Sequence, residues 1–303
     1  MYRTPAYLKK GDQVGLLAPA RKITREGLQP AIEMLESWGL KVVFSEHLFA
    51  EENQFAGSDA QRAADFQDML DNPEIRAVIA ARGGYGCLRI IDRLNFFNFL
   101  LRPKWIVGYS DLTVFHSHVH NNTNVQTLHA TMPVNFLLDA ESTESLRRAL
   151  FGENLHYEWK NGTAARNRPG TAEGQLVGGN LSLLYALNPS RSDINTHGKI
   201  LFLEDLDEYL YHVDRIMLNL KRSWKLNGLA GLIVGGMDDM KDNAVPFGKT
   251  AEEIILEHVA EYSFPVAFGF PAGHGKKNVA LKLGAQVRFE AGAENSKLEF
   301  WGK

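Results

Sequence analysis

Short apolar runs alternate with amphipathic stretches through the first half of the sequence, and this alternation predicts an α/β fold with a mostly parallel sheet. The apolar runs have the length of buried strands, and the stretches between them have the spacing of helices. The second half contains more strand-like runs than helical ones. We therefore expect a larger α/β domain followed by a smaller β-rich domain, and 303 residues suit two domains of ordinary size.

Four strands and four helices are expected in the first half. The apolar runs place the strands at Gln13–Pro19, Lys41–Ser45, Ala77–Ala81 and Lys104–Tyr109. The helical patterns cover Thr24–Trp38, Ser58–Asp71 and Leu88–Arg93, with a fourth helix beginning near Leu112. Ser58 can cap the second helix, and Gly39 suits the C-terminal end of the first.

The polar segment 153–173 is predicted to connect an N-terminal domain, residues 1–152, to a C-terminal domain, residues 174–303. Strands of the second half are expected at Gly174–Val177, Ile200–Leu203, Gly231–Val234, Val266–Phe268 and Val287–Glu290. Helices are expected at Leu181–Ala186 and Tyr211–Trp224.

Composition excludes several classes of function. A net charge of −3 with scattered Lys and Arg argues against binding to nucleic acid or to anionic lipid. No apolar run approaches the roughly 18 residues of a membrane span, and the N-terminus lacks a secretory signal pattern. Cys87, the single cysteine, excludes an intrachain disulfide and fits a reducing compartment. A cytoplasmic protein is therefore expected.

The strongest local signal for chemistry is Ser110, where a predicted strand ends in Gly-Tyr-Ser and a helix begins at once. Such a turn exposes the serine hydroxyl and places the N–H of Asp111 at the helix N-terminus, where it could stabilise an oxyanion. The flanking residues do not match the GxSxG pattern of α/β-hydrolases. The alternative is that Ser110 only caps the helix.

A glycine-rich turn, Arg82–Gly86, follows the third predicted strand directly. Its N–H groups could provide a second oxyanion donor or bind a phosphate. The turn lacks both the GxGxxG spacing and the Lys-Ser/Thr pair of a P-loop, and a purely structural tight turn is the alternative.

Two motifs of the second half carry further candidates. A predicted buried strand delivers Glu204 and Asp205 at its carboxyl end, and His274 lies in a loop between two glycines. His116 and His120 have the spacing of a metal pair, but no HExxH glutamate accompanies them, so no metal site is expected. The acidic run from Asp205 to Asp214 is interpreted as a solvated face.

Taken in order, these segments resemble the LD-carboxypeptidases of bacterial murein recycling, whose close relatives include the microcin C self-immunity peptidases. The resemblance is carried by Tyr7–Pro19, Ala81–Gly86, Val107–Thr113, Val177–Leu184, Leu203–Glu208 and Phe270–Gly275. It implies a flavodoxin-like N-terminal domain that carries a nucleophile and a smaller β-rich C-terminal domain that carries an acid and a base.

The resemblance implies a serine carboxypeptidase that hydrolyses the L,D amide before the terminal D-alanine of a murein tetrapeptide. The nucleophile falls on Ser110, the base on His274 and the orienting acid on Glu204, with no metal and no cofactor. The expected oxyanion donors are the N–H groups of Asp111 and Gly84. A homodimer is also implied.

Arg82 and Gly83, the first two residues of the glycine turn, are expected to contact the substrate, with Arg82 near its free carboxylate. Two alternatives stay open. One is a self-immunity amidase that cleaves a peptidyl-adenylate-type antibiotic, although such relatives tend to carry an added aromatic loop without a clear counterpart here. The other is an α/β protein that binds a nucleotide or another ligand through the glycine turn.

Overall fold

The computed structural model describes residues 2–160 and 167–301. The first half contributes five strands, β1 Gln13–Leu17, β2 Lys41–Phe44, β3 Ile75–Ala80, β4 Trp105–Gly108 and β5 Thr127–His129. Its α-helices are α1 Arg25–Ser37, α2 Asp59–Asp71, α3 Cys87–Ile90, α4 Phe97–Leu101, α5 Thr113–Thr123 and α6 Ala140–Leu150. Local side chains fix the starts of α1 and α2, because Thr24 caps α1 and Ser58 forms a capping box with Gln61 on α2.

The second half contributes eight strands among the described residues. They are β6 His156–Lys160, β7 Gly170–Asn180, β8 Ile200–Leu206, β9 Gly231–Asp238, β10 Val266–Ala267, β11 Leu281–Leu283, β12 Gln286–Ala291 and β13 Asn295–Phe300. Its helices are α7 Leu181–Ala186, α8 Leu210–Arg222 and α9 Ala251–His258. No helix in the described ranges is both long enough and apolar enough to cross a bilayer.

The strands form two sheets that together confirm the predicted α/β class. The first sheet has the order β11-β5-β4-β3-β1-β2 and is parallel except for the β11–β5 pair. The second has the order β10-β9-β8-β7-β12-β13-β6, parallel from β10 to β7 and antiparallel from β7 to β6. The parallel strands of both sheets therefore end at edges where polar side chains can gather.

The predicted strands and helices are all present, with ends shifted by a few residues. The structure adds β5, β6, β11, β13, α4, α6 and α9, which the periodicity did not indicate. Of the expected connection, residues 153–173, β6 and the start of β7 belong to the second sheet, and residues 161–166 lie outside the described residues. Three-residue strands such as β5 and β11 are too short to show an alternating pattern.

The two halves are joined through one continuous hydrophobic core and through β11. Residues of both sheets, from Val14 in β1 to Phe289 in β12, belong to the same buried cluster. β11 comes from the second half but pairs with β5 of the first sheet. The N–H of Asn180, at the end of β7, donates to the Thr113 hydroxyl at the start of α5 over 2.9 Å. The relative position of the halves is thus set by packing and by direct hydrogen bonds.

Lys282, in the middle of β11, is buried to 4% exposure although it carries a charge. Its ammonium lies 5.8 Å from the ring centroid of Tyr7 and 5.5 Å from that of Phe300. Burial lowers the pKa of Lys282. These cation–π contacts join the N-terminal segment, β11 and β13, which gives the lysine a structural role at the junction of the two halves.

Two buried histidines of α5 predict how stability depends on pH. Burial lowers the pKa of His116 and of His118 to about 4, against 6.5 for a free histidine. The unfolded chain therefore binds more protons between these values, and the free energy of unfolding falls as the pH is lowered from about 6.5 to about 4. We expect His118→Gln to flatten this slope, measured by urea denaturation across the pH range.

The matched control for this experiment is His197→Gln, because His197 is an exposed histidine of the same protein. It should leave the slope between pH 6.5 and 4 unchanged. An unchanged slope in His118→Gln would contradict the assignment of proton uptake to this buried imidazole.

Candidate active site

Ser110 lies in the turn between β4 and α5, where the backbone is strained. Residues Ser110–Leu112 form one turn of 3₁₀ helix, and Ser110 has a φ of +61°, which a non-glycine residue rarely adopts. No side chain caps this turn or the helix after it, so Ser110 does not act as the helix cap. The turn instead presents the hydroxyl at the carboxyl edge of the first sheet, and the side chain is partly exposed.

The glycine turn after β3 lies directly against Ser110. A side chain at Gly83 would begin 3.2 Å from the Cβ of Ser110 and 3.5 Å from its Oγ. Gly84 has a φ of +120°, and its N–H donates to no carbonyl in the described part of the chain. The N–H of Asp111 lies in the first helical turn, where such groups have no intrahelical acceptor. Two backbone donors therefore belong to the segments that meet at the serine.

The Asp111 side chain connects these two segments. Its carboxylate accepts a 2.7 Å hydrogen bond from the N–H of Cys87, the residue that follows the glycine turn. Asp111 is only 1% exposed, and burial raises its pKa. Burial likewise raises the pKa of Cys87, so the thiol is a buried neutral group. Asp111 thus ties the start of the helical turn to the glycine turn.

Glu204 and His274 form the second part of the site. Nδ1–H of His274 donates to Oε2 of Glu204 over 2.7 Å, which leaves Nε2 of the neutral imidazole as a proton acceptor. Glu204 is fully buried at the end of β8, and the His274 side chain is 11% exposed. The His274 ring centroid lies 4.9 Å from that of Tyr109, the residue before Ser110. The imidazole is therefore held beside the end of β4.

The charge of Glu204 governs the basicity of the imidazole. Burial lowers the pKa of His274, but the charge of Glu204 and its hydrogen bond outweigh burial and raise the pKa above 6.5. Burial, with a smaller contribution from Glu204, also raises the pKa of Tyr109 to about 12. The site thus contains a buried carboxylate, an imidazole that titrates above its usual range and a neutral phenol.

Asp205, the other candidate carboxylate of this strand, faces away from the histidine. Adjacent residues of a strand point to opposite faces, and Asp205 accepts hydrogen bonds from Asn180 Nδ2 at 2.8 Å and from the hydroxyl of Ser182 at 2.7 Å. Burial, followed by the neighbouring Glu204, raises the pKa of Asp205 to about 6. Its contacts fix the start of α7 and do not reach His274.

Several residues around the site were not singled out from the sequence. Asn135 Nδ2 donates to the Tyr109 hydroxyl over 2.8 Å. His129, at the end of β5, donates through Nε2 to the side-chain oxygen of Asn278 over 3.2 Å, and the same oxygen accepts from the N–H of Gly273. Asn278 therefore connects the His274 loop to the first sheet. The sequence signal for these residues is only their position near the ends of strands.

The weaker candidates for metal binding have other contacts. His116 donates to the carbonyl of Gly108 over 2.9 Å, and His120 forms a 3.2 Å hydrogen bond with Thr127. The acidic run has basic partners, which are Lys241 for Asp207, His212 for Glu208 and His258 for Asp214. Within residues 2–160 and 167–301 no group of three or more potential ligands is assembled for a metal ion.

Arg82, the first residue of the glycine turn, is partly buried. Its guanidinium donates to the carbonyl of Lys22 over 3.1 Å. The structure thus places Ser110 against the glycine turn, and the loop between β10 and β11 places His274 in a hydrogen bond with Glu204 and against Tyr109, the residue before Ser110.

Comparison with known proteins reveals matches along both halves of the chain. Residues 14–130 match the LD-carboxypeptidase N-terminal domain, and residues 173–289 match the LD-carboxypeptidase C-terminal domain. A probable murein peptide carboxypeptidase of Bacillus subtilis is 34% identical, with 97% of this chain and 94% of that relative covered. The microcin C7 self-immunity protein MccF of Escherichia coli is 23% identical, with 96% and 94% covered.

A solved structure has the same fold over nearly its whole length. The muramoyltetrapeptide carboxypeptidase from Oxalobacter formigenes superposes with a TM-score of 0.86 at 26% identity, and the match covers 96% of this chain and 99% of that one. The arrangement of the two sheets is therefore shared with a solved carboxypeptidase.

The electrostatic coupling in this site can be measured directly. We expect the pKa of His274, followed by NMR of the imidazole, to lie above 6.5 and to fall when Glu204→Gln removes the charge. Glu141→Gln is the control, because Glu141 is exposed and pairs with Lys277 near the end of the same loop. A His274 pKa that stays the same in Glu204→Gln would contradict the coupling.

Proposed function

The chain belongs to the LD-carboxypeptidase family, and from this premise we propose that it is a serine carboxypeptidase with Ser110 as nucleophile, His274 as base and Glu204 as orienting acid. Family membership makes the protein a peptidase of the carboxypeptidase type. The observation that carries the finer proposal is the 2.7 Å hydrogen bond between His274 Nδ1 and the fully buried Glu204, beside the strained turn of Ser110.

The proposed substrate is a murein-derived tetrapeptide, and the proposed bond is the L,D amide before its terminal D-alanine. Support comes from the names of similar proteins, a probable murein peptide carboxypeptidase and a muramoyltetrapeptide carboxypeptidase. The homodimer and the cytoplasmic location expected from the sequence stay predictions.

In the first half of the proposed reaction, the Ser110 oxygen attacks the carbonyl carbon of the scissile amide while Nε2 of His274 takes the hydroxyl proton. Glu204 holds the imidazole in the tautomer with Nδ1 protonated and stabilises the imidazolium that forms. The carbonyl oxygen becomes an oxyanion, for which the N–H groups of Asp111 and Gly84 are the proposed donors.

Collapse of the tetrahedral intermediate breaks the carbon–nitrogen bond. His274 returns its proton to the leaving nitrogen, so D-alanine departs as an amine and the peptide remains as an ester on Ser110. Water then attacks the ester with His274 again as base, which releases the shortened peptide and restores the hydroxyl of Ser110. In each half of the reaction Nε2 of His274 therefore takes up one proton and returns it, first to the leaving amine and then to the Ser110 oxygen.

The strained turn has a direct consequence for this chemistry. A left-handed φ at Ser110 directs the hydroxyl away from the helix, and the absence of a side chain at Gly83 lets the glycine turn approach it. The Asp111 carboxylate keeps the glycine turn attached to the helical turn. The serine and both proposed donors are thus held by one short network of backbone contacts.

The assignment of Ser110 as nucleophile can be tested by substitution. Wild-type protein incubated with L-Ala-γ-D-Glu-meso-diaminopimelate-D-Ala should release one alanine, and Ser110→Ala should lower kcat by about 10⁴- to 10⁶-fold, both followed by mass spectrometry. Ser37→Ala, at an exposed serine, should retain full activity. Equal release by wild type and Ser110→Ala would contradict the assignment of the nucleophile.

The same assay separates the substrate alternatives. Similarity to the microcin C7 self-immunity protein favours testing a peptidyl-adenylate-type conjugate beside the tetrapeptide. Hydrolysis of the conjugate alone, abolished in Ser110→Ala, would replace murein peptide by an antibiotic as the substrate and would keep the same triad.

The pH dependence of the reaction tests His274 as the base. Only neutral His274 can accept the proton, so kcat/KM should rise with pH through a pKa above 6.5 and should be lost below it. Glu204→Gln should lower kcat. It should also move the rise of kcat/KM to lower pH, because the carboxylate that raises the pKa of His274 is gone. A profile that stays flat from about pH 5 to pH 9 would contradict His274 as base.

A further inference from the structure

Two arginine side chains lie beside the glycine turn without a carboxylate partner. The side chain of Arg21 covers Gly84, since a Cβ at Gly84 would lie 2.6 Å from Cγ and Cδ of Arg21 and 3.0 Å from its Nε. Arg82 is the first residue of the turn, and its guanidinium donates a hydrogen bond to the carbonyl of Lys22. Neither arginine forms an ion pair within residues 2–160 and 167–301.

The two guanidiniums are close enough to repel each other. Burial, followed by the positive charge of Arg21, lowers the pKa of Arg82. The third cation of this region, Lys22, differs because its ammonium pairs with Glu51 at 2.7 Å. Two unpaired like charges are unfavourable in the free protein, and an anion between them would relieve the repulsion.

We propose that Arg21 and Arg82 bind the free C-terminal carboxylate of the peptide, and that Arg21 is a specificity-determining residue of the site. This inference rests on the proposed function, which requires a substrate that ends beside the scissile bond. A guanidinium recognises a carboxylate through two parallel hydrogen bonds, so a pair of arginines can fix both the position and the orientation of the chain end.

The position of the glycine turn supports this assignment. In a carboxypeptidase substrate the terminal carboxylate is separated from the scissile nitrogen by a single carbon atom, so it must bind within a few ångströms of the nucleophile. Gly83 contacts Ser110 and the next residue, Gly84, contacts Arg21. Gly83 and Gly84 therefore lie between Ser110 and the Arg21 side chain. This short separation fits a substrate peptide that ends one residue beyond the cleaved bond.

Gly84 has a second role in this arrangement. A side chain at this position would occupy the space of the Arg21 methylenes, and the φ of +120° already disfavours any residue with a Cβ. The glycine thereby lets the Arg21 stem lie flat on the turn, which restricts where the guanidinium can go. A positioned cation loses less conformational freedom when it binds an anion than a free surface arginine does.

The test compares two peptides that differ only at the chain end. Full-length Ser110→Ala protein is titrated calorimetrically with L-Ala-γ-D-Glu-meso-diaminopimelate-D-Ala and with the same peptide as its C-terminal carboxamide. We expect the acid to bind about 10- to 100-fold more tightly than the amide, since a charged acceptor is replaced by a neutral one. Arg21→Gln in this background should lower the affinity for the acid to nearly that for the amide. The affinity for the amide should not change.

Further variants separate charge from structure. Arg82→Gln should act like Arg21→Gln, and Arg21→Lys should recover part of the discrimination. Lys22→Gln, which removes a neighbouring charge that is already paired, should leave both affinities unchanged. Because Arg21 is exposed, its variants keep the test valid even if the partly buried Arg82 is needed for folding.

The outcomes distinguish this inference from the proposed function. Three results would overturn the proposal that the two arginines bind the carboxylate. The protein could bind acid and amide equally, Arg21→Gln could lower both affinities by the same factor, or neither peptide could bind. Discrimination in favour of the acid that depends on Arg21, in a protein whose wild type releases no D-alanine, would keep the carboxylate site and refute the proposed reaction.

Discussion

The antiparallel pairing of β11 with β5 is the constraint on which the site depends. β10 is the edge strand of the second sheet and β11 is the edge strand of the first, so the loop between them is anchored to both sheets. His274 lies in this loop, Glu204 lies in the second sheet and Ser110 follows a strand of the first. Loss of the β11 pairing would detach one end of the His274 loop from the first sheet without altering His274 or Ser110.

Burial around this junction determines the chemistry of the charged groups. Glu204 has no exposure to solvent, and its neighbour across the hydrogen bond is a single imidazole. Burial keeps the pKa of His129, which lies behind the site, well below its usual value, so this ring adds no competing positive charge. A carboxylate in such surroundings acts on His274 more strongly than it would in water.

The backbone geometry around Ser110 allows the turns after β3 and β4 to approach each other closely. The left-handed φ of the serine and the close approach of Gly83 bring two turns from neighbouring parallel strands into contact. The Asp111 carboxylate then links the two turns by accepting a hydrogen bond from the N–H of Cys87. Gly83 of the glycine turn lies against Ser110, and the next residue, Gly84, lies against the Arg21 side chain. Rigid strands on either side keep these distances short.

Local features could be predicted from the sequence because they depend on neighbouring residues. The strands β1, β3 and β4 are apolar runs, and the caps at Thr24 and Ser58 need only residues three positions away. From residues alone Ser110 remained either a nucleophile or a cap, and only the order of motifs along the chain favoured the first interpretation.

Tertiary structure decided what depends on long-range pairing. No local pattern marks β11, a three-residue strand whose partner β5 lies more than 150 positions earlier in the chain. The register of β8 decided that Glu204, and not Asp205, faces His274, and packing placed Arg21 on Gly84. Sequence by itself determined the longer strands and helices, because these follow from local preferences, and the order of motifs along the chain determined the candidate residues. Their assembly was decided only by the fold, because it arises from contacts between residues far apart in the chain.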